Sequence, residues 1–411
     1  MTSNKTKKTK TKEKQVPSFS TEPKKILLVG SGFLGKYLLT RQLEGLEQFI
    51  EGKTRINPFP LTYILDKQNP DTLYKFPLLE NYEGKGYSEY LWQSMGDTMT
   101  LQKEKIHEKV DDIVITSAIA DVPYAMKSPV DTYQTNVINT LQLMEYLRIN
   151  DFAGKIILMS SESVLGHQPH DKLPLNEECL PNPANIYGSS KLAQEQIGLT
   201  YAKSYGMNVT ILRSATMYGP YGRTKQAVPI FIRQILEHKP VTLEGDGSQS
   251  RDFVFVEDTA RAIELALYVK NPKKIRGEII NIGSGKELRF SDLIKLIAHT
   301  VGLRWDFTKA DNKDVKVKFK PFRAGEEGLR VCLDITKAKK LLDYEPMYPM
   351  TGIGSSGLKT TIEWIANWVL NFDEDEMDEL RHEMYPLKYS NVQQKQNNKL
   401  TSSQENIQVS V

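Results

Sequence analysis

A serine pair, a tyrosine and a lysine are the residues of this chain whose types and spacing best suit chemistry. Ser160 and Ser161 end an apolar run, and Tyr187 precedes Lys191 by four residues at what reads as the start of a helix. Four residues apart on a helix, the two side chains share one face. An ammonium group near a phenol lowers the phenol pKa, so this pair could move a proton during alcohol–ketone interconversion. The spacing alone also arises by chance, and its meaning depends on what precedes it.

A glycine-rich turn near the start of the chain supplies that context. The apolar run 24–29 leads into Gly30, Gly32 and Gly35 in the order G-x-G-x-x-G, and residues 36–43 follow with helical periodicity. Between a strand and a helix, such glycines permit a tight turn, a close approach of backbone to a pyrophosphate and close helix packing. The free N–H groups of the helix start also favour phosphate. The alternative interpretation is an ordinary glycine turn of an α/β domain.

A carboxylate, Asp66, ends the next apolar run at 61–65. It could accept hydrogen bonds from ribose hydroxyls and would repel a 2′-phosphate, which favours NAD over NADP, although Lys67 weakens that preference. The distance from Gly35 to Asp66 exceeds the usual spacing of about 20 residues. We therefore expect an insertion around residues 47–60.

Apolar runs and helical stretches alternate along most of the chain. A third strand is predicted to end near Gly96 and Asp97, and further apolar runs lie at 112–118, 155–161, 208–214 and 278–283. Helical stretches at 129–148, 190–205 and 257–269 separate them. This alternation predicts an α/β fold, a Rossmann-like, doubly wound parallel sheet covered on both faces. Because ligands bind at the carboxyl ends of such strands, Ser161 and the glycine loop should face one crevice.

With these residues considered together, the sequence resembles the extended short-chain dehydrogenase/reductases of the NAD-dependent epimerase/dehydratase family. The resemblance covers about residues 24–348, and its most specific segment is 245–258, GDGSQSRDFVFVED. Other matching segments are 117–118, 136–140, 212–213 with 218–220, 323–326 and 334–338. The resemblance implies NAD as the cofactor, a nucleotide sugar as the substrate and a homodimer formed through helices near 130–148 and 190–205.

The resemblance also implies roles for individual residues. Ser161 would bond a substrate hydroxyl, Tyr187 would be the acid/base, and Lys191 would bind the nicotinamide ribose and lower the Tyr187 pKa. Asp66 and Asp97 would hold the ribose and the adenine of the adenosine. The implied cofactor contacts are Gly30, Gly32, Phe33, Leu34, Gly35, Asp66, Asp97, Ser117, Ala118, Asn136, Tyr187 and Lys191.

The implied substrate contacts are Glu162, Thr216, Arg251 and Arg323. The two arginines would grip a nucleotide diphosphate, since a guanidinium binds phosphate oxygens bidentately. For Arg251 the alternative is a surface salt bridge with Asp252, and for Glu162 it is a solvated loop acid. The chain departs from the family pattern at Val29, Asn139, Leu165 and Thr216.

The reaction implied is the epimerisation of a nucleotide sugar. A sugar hydroxyl would be oxidised transiently, with Tyr187 taking its proton, and the ketone would then be reduced on its other face. Glu162 and Ser163 stand where dehydratases of the family carry an Asp-Glu pair, which makes dehydration less expected. Three alternatives stay open: a nucleotide-sugar dehydratase or decarboxylase, a reductase of the same fold acting on another substrate, and a non-catalytic NAD-binding scaffold.

Composition narrows the class of protein further. The chain has 411 residues, 39% of them hydrophobic, and a net charge of +3, so nothing indicates nucleic-acid binding. Two distant cysteines, Cys179 and Cys332, fit a reducing compartment and predict a cytoplasmic protein. Six unclustered histidines predict no metal site. The sequence lacks an apolar run of about 18 residues, so no membrane span is expected.

Five regions are expected along the chain. Residues 1–23 form a lysine-rich, disordered tail, and 24–214 form an NAD-binding domain that 251–283 complete. Residues 215–250 and 284–350 form a smaller, discontinuous C-terminal substrate-binding domain. A helical extension at 351–389 and an Asn/Gln/Ser-rich disordered tail at 390–411 follow.

Overall fold

The computed structural model describes residues 24–50, 61–66, 88–304, 314–322, 327–350 and 356–367. The predicted tails at 1–23 and 390–411, most of the C-terminal extension, and Arg323 lie outside the described residues. The strands are β1 (Lys25–Val29), β2 (Leu61–Asp66), β3 (Ser88–Trp92), β4 (Asp112–Ile115), β5 (Lys155–Ser161), β6 (Asn208–Ser214), β7 (Thr216–Tyr218), β8 (Val241–Glu244), β9 (Ser250–Phe255), β10 (Ile279–Ile282), β11 (Glu287–Arg289) and β12 (Val317–Lys320).

Seven of these strands form one parallel sheet in the order β3-β2-β1-β4-β5-β6-β10. The chain leaves β1 in one direction to build β2 and β3, and in the other direction to build β4, β5 and β6. The order reverses between β1 and β4, and this is the point at which such sheets bind ligands beyond the carboxyl ends of their strands.

Helices cover both faces of the sheet. The helices of the described residues, including those of the smaller part, are α1 (Phe33–Ile50), α2 (Thr98–Lys103), α3 (Ile106–Lys109), α4 (Val122–Lys127), α5 (Pro129–Tyr133), α6 (Asn139–Ile149), α7 (Ile186–Tyr205), α8 (Ala227–Leu236), α9 (Val256–Tyr268), α10 (Phe290–Thr300), α11 (Thr336–Leu342) and α12 (Ser356–Asn367). Alternate residues of β1 enter different cores: Leu28 packs with Leu38 and Ala266, whereas Leu27 packs with Leu143. The doubly wound α/β fold predicted from the sequence is therefore confirmed.

The remaining strands and helices build a smaller part beside the carboxyl edge of the sheet. Strand β9 pairs with β7 and β11, and β8 pairs with β12. A separate core joins helices α8, α10 and α12 through buried residues such as Phe231, Ile294 and Trp364. We keep the division into two parts as a proposal, with one amendment. Strand β9 belongs to the smaller part, whereas α9 and β10 return to the main sheet.

Two elements differ from the sequence expectation. The helix expected over 129–148 is divided by a π-helical turn at Gln134–Ile138, which turns Asn136 into the protein interior. The strand expected over 112–118 ends at Ile115, and residues 116–118 leave it to run beside the glycine loop. None of the helices in the described residues is both long enough and apolar enough to span a membrane.

Candidate active site

A cleft of about 330 Å³ opens at the carboxyl edge of the sheet. The glycine loop forms one wall, with Gly32, Phe33, Leu34 and Gly35 exposed to it. Gly30 lies beneath, at a φ of +97°, and a Cβ at this position would meet the backbone N of Ser117 at 2.6 Å. Only glycine fits there, because both the backbone conformation and the neighbouring segment at Ser117 exclude a side chain. The space beside Gly32 is open for 4 Å, as a bound diphosphate requires.

The opposite wall carries the serine and the tyrosine. Ser161 ends β5, and Tyr187 lies in the first turn of α7, which Asn185 begins by accepting a hydrogen bond from the N–H of Gly188 at 2.9 Å. The side chains of Ser161 and Tyr187 hydrogen-bond each other. Burial raises the pKa of the Tyr187 phenol, while the bond from Ser161 and the charge of Arg223 act in the opposite direction. The structure thus brings the two groups together at the floor of the cleft.

Lys191 also lines the cleft, but its amine is held by uncharged oxygens. Its Nζ donates to the carbonyl oxygen of Met159 at 2.6 Å and to the side-chain oxygen of Gln194. Burial lowers the pKa of this amine to about 7, and the partly compensating charge is that of Glu195. The sequence predicted that an ammonium at Lys191 would lower the Tyr187 pKa. In this structure burial disfavours the charged forms of both groups and raises the phenol pKa, so the effect of Lys191 on Tyr187 stays a prediction.

Glu162 is a buried carboxyl group at the centre of the same wall. Thr216 donates a hydrogen bond to its Oε1, whereas Oε2 has no hydrogen-bond partner in the protein. Burial raises the Glu162 pKa to about 8, and the charge of Arg251 opposes this shift. The carboxyl group is therefore largely protonated at neutral pH. The alternative of a solvated loop acid is excluded by its 6% exposure.

Arg251 joins the cleft to a wider groove of about 870 Å³. Its Nη1 donates to the carbonyl oxygens of Ser250 and Leu329, and its guanidinium lies over the Phe290 ring at 5.7 Å. The neighbouring Asp252 accepts hydrogen bonds from Ser284, Gly285 and Leu333. The groove holds more cationic than anionic side chains; its cations are Arg223, Lys225, Arg233, Lys239, Arg251 and Lys320.

Four of the predicted cofactor contacts do not line the cleft but contact the loops and helices around it. Asp66 accepts hydrogen bonds from the backbone N and side chain of Ser31, at 2.6 and 2.8 Å, which ties the end of β2 to the glycine loop. Asp97 caps helix α2 through the N–H and the side chain of Thr100. Ser117 packs beneath Gly30, and Asn136 is fully buried. Ala118, by contrast, lines the cleft itself.

Comparison with known proteins identifies the family. Residues 26–283 match the model of the NAD dependent epimerase/dehydratase family. The chain belongs to this family. Among its relatives, a putative UDP-glucose 4-epimerase of Methanocaldococcus jannaschii is 34% identical over 64% of this chain and 80% of its own length. A dTDP-glucose 4,6-dehydratase of Streptomyces antibioticus is 26% identical over 82% of this chain and 91% of its own.

A solved structure of the family resembles the whole described fold. The UDP-glucuronic acid 4-epimerase of Bacillus cereus, crystallised with UDP-glucuronic acid and NAD, superposes with a TM-score of 0.69 and 27% identity. The match covers 83% of this chain and 99% of that one. The NAD-dependent enzyme class predicted from the sequence is thereby confirmed. The open loop at Gly32 and the carboxylate at Asp66 fit NAD, which would supply a hydride acceptor for the reaction.

Sequence reasoning missed two residues of this family member's site. Arg223 follows β7, lines both the cleft and the groove, and lies 3.9 Å from the Asp121 carboxylate across the opening. Gln194 holds the Lys191 amine. No motif marks Arg223, whose approach to Tyr187 depends on tertiary packing. For Gln194 a signal existed, since it lies three residues after Lys191 and therefore on the same helix face. No group of three or more His, Cys, Asp or Glu side chains within the described ranges could hold a metal ion.

Proposed function

We propose that this enzyme epimerises a nucleotide sugar at the carbon whose hydroxyl faces Ser161 and Tyr187. The observation that carries the proposal is the set of ionisable groups in the cleft. Among the described residues that line it, Glu162 is the one carboxyl group, and Ser163 occupies the adjacent position. Eliminating water from a hexose needs both a general base and a general acid. A single carboxyl group cannot be the base and the acid at the same time, so oxidation and re-reduction fit this site better than dehydration.

Each residue has a defined part in the proposed reaction. In its phenolate form, Tyr187 takes the proton of the sugar hydroxyl as the carbon is oxidised, and the resulting phenol returns that proton when the ketone is reduced. Ser161 hydrogen-bonds the same oxygen, and Lys191 bonds the nicotinamide ribose. Glu162 donates its proton as a hydrogen bond to the sugar, because its Oε2 reaches no acceptor in the protein.

The ends of the cleft hold the charged parts of cofactor and substrate in this proposal. Asp66 binds the adenosine ribose, and Asp97 has acceptor capacity left for the adenine. Arg251 grips the diphosphate of the substrate, supported by the cationic lining of the groove. A nucleotide sugar suits this arrangement because its diphosphate is anionic and its sugar is neutral or weakly charged.

The test is incubation of the purified protein with NAD and UDP-glucose, UDP-glucuronic acid or dTDP-glucose in D₂O, followed by NMR of the products. An epimerase inverts the sugar carbon and incorporates no deuterium on carbon, because the transferred hydride never meets solvent. A dehydratase places solvent deuterium on the sugar, and a decarboxylase releases carbon dioxide. Either of those outcomes, or no change in any sugar, contradicts the proposal.

A variant pair separates chemistry from folding. Tyr187→Phe should lower turnover roughly 100-fold or more while NAD still binds, because it removes only the proton-transfer group. Tyr205→Phe, at the exposed end of the same helix, serves as the matched control and should keep full activity. A scaffold with no catalytic role would show no difference between the two variants.

We further propose that the enzyme is a cytoplasmic homodimer. Helices α5, α6 and α7 expose a row of apolar side chains that includes Val130, Leu141, Ile149 and Tyr205. Such a face on neighbouring helices can meet its own copy about a twofold axis. Both cysteines are free thiols, which supports a reducing compartment.

A further inference from the structure

Gln194 is fully buried in α7, and its amide joins two parts of the site. Its side-chain oxygen accepts from the Lys191 amine, and its Nε2 donates to the Thr140 hydroxyl at 2.6 Å. The Thr140 hydroxyl donates in turn to the carbonyl oxygen of Asn136 at 2.8 Å. Because the Thr140 proton is already engaged, its oxygen can only accept from residue 194. The amide orientation is therefore determined, and its oxygen must face Lys191.

The same network reaches the wall of the cleft through the π-helical turn. The side chain of Asn136 accepts from the N–H of Ile119 at 2.8 Å and donates to the carbonyl of Ile119 and to the Ser190 hydroxyl. Ser190 donates to the carbonyl oxygen of Tyr187 at 2.8 Å. The loop after β4, the turn at 134–138 and the catalytic helix are thus joined by buried hydrogen bonds that end at Lys191.

The charges around Lys191 make the amide significant. Glu195, on the same helix, is fully buried and bonded to Arg213 at 2.9 Å and to the Ser160 hydroxyl at 2.6 Å. Its charge is largely neutralised by Arg213. Tyr187 and Glu162 line the same cleft as the lysine, and burial raises the pKa of both, which favours their neutral forms. The direct acceptors of the amine, at Met159 and Gln194, are both uncharged.

We infer that Gln194 is a positioning residue, which holds the Lys191 amine in place at the cleft floor with a neutral acceptor and ties it to Thr140. The inference rests on the function proposed above, since it concerns the lysine of that site. A carboxylate at 194 would also accept from the amine, but it would keep the amine charged and would give up the bond to Thr140. An apolar side chain would leave it with one acceptor. The pKa of about 7 for Lys191 agrees with an amine held by neutral oxygens.

The test measures NAD affinity against pH for the wild type, Gln194→Glu and Gln194→Met. In the curve of NAD affinity against pH, the midpoint assigned to Lys191 is the pH at which half of its amine is charged. We expect this midpoint to move to higher pH in Gln194→Glu, which adds a negative charge, and to lower pH in Gln194→Met, which removes an acceptor. If the Lys191 pKa moves by about one, its charged fraction above the midpoint changes about tenfold. At alkaline pH, Gln194→Glu should therefore bind NAD several-fold more tightly than the wild type, and Gln194→Met several-fold more weakly.

Two features keep this experiment decisive. Gln196→Glu and Gln196→Met make the same changes at an exposed position two residues away and should leave the midpoint unchanged. Damage to the fold would move both Gln194 variants in one direction, so opposite shifts exclude it. Coincident midpoints, or shifts of equal sign, overturn the inference. Since NAD binding needs no sugar, opposite shifts in a protein that converts no nucleotide sugar would reject the proposed function and leave the role of Gln194 intact.

Discussion

At the scale of single residues, burial rather than pairing sets the charge of the catalytic groups. Burial raises the pKa of Tyr187 and of Glu162 and lowers that of Lys191, so each tends towards its neutral form. At rest the phenol and the carboxyl group are therefore proton donors, and Tyr187 has to lose its proton before it can take one from a sugar hydroxyl. Arg223 is the fixed positive charge that acts on the phenol at its opening.

This position of Arg223 leads to a prediction on pH dependence. Replacing Arg223 by Gln should raise the Tyr187 pKa further, because it removes a positive charge that favours the phenolate. The limb of the kcat/KM profile that reports phenol ionisation should move to higher pH. Activity at neutral pH should fall, but by less than the roughly 100- to 10,000-fold cost of losing an acid/base.

Asp121→Asn is the matched control for Arg223→Gln. It removes the negative charge 3.9 Å from Arg223 but keeps an oxygen to cap α4 at the N–H of Tyr124. With its neighbour neutral, Arg223 acts more strongly on the phenol, and the same limb should move to lower pH. If this limb of the kcat/KM profile moved in the same direction and by the same amount in both variants, it would not reflect the ionisation of Tyr187.

At the scale of elements, helix α7 sets the distance between Tyr187 and Ser161. A Cβ on Gly188 would lie 2.4 Å from the carbonyl oxygen of Ser163, so the helix start packs directly on the turn after β5. Gly198 lies ten residues further along the same helix. The nearest atoms to a Cβ at this position would be side-chain methyl groups at 3.2 to 3.4 Å. Backbone contact holds the first turn in place, while the rest of the helix has more tolerance.

We therefore expect two identical substitutions in α7 to differ. Gly198→Ala should stay within about 1 kcal/mol of the wild-type free energy of unfolding, because alanine favours the helix and the methyl groups can shift. Gly188→Ala should destabilise by more than about 1 kcal/mol and lower kcat, since the backbone must move away from Ser163. Urea unfolding and turnover measurements check both. A Gly188→Ala variant with normal kcat would contradict the close coupling of helix start and site.

The elements also show how far the sequence could predict this protein. The strands of the sheet were predictable because each is an apolar run, and the glycine loop because its spacing is specific. The π-helical turn at 134–138 was not, since its side chains suit an ordinary helix and only tertiary bonds of Asn136 favour the wider turn. Arg223 was missed for the same reason: it is 36 positions from Tyr187 and meets it only through packing of the two parts.

At the scale of the whole molecule, two parts enclose the cleft, and one outer face carries the exposed apolar row. The main sheet supplies the glycine loop, Ser161 and Tyr187, whereas Arg251 and Arg223 come from the smaller part. The apolar row lies on α5, α6 and α7, and α7 also carries Tyr187. A dimer formed through that face would therefore support the helix that positions the acid/base.

Breaking the proposed dimer should consequently affect activity as well as assembly. Leu141→Asp places a charge in the middle of the apolar row and should convert the dimer to a monomer, because a buried, unpaired carboxylate is costly. Leu180→Asp is the matched control, an equally drastic change at a residue that is 80% exposed and belongs to none of these helices. Light scattering should report a dimer for the wild type and Leu180→Asp, and a monomer with reduced kcat for Leu141→Asp. A wild-type protein that is monomeric at micromolar concentration would rule out the proposed dimer. A fully active Leu141→Asp monomer would show that activity does not depend on support of α7 by the dimer.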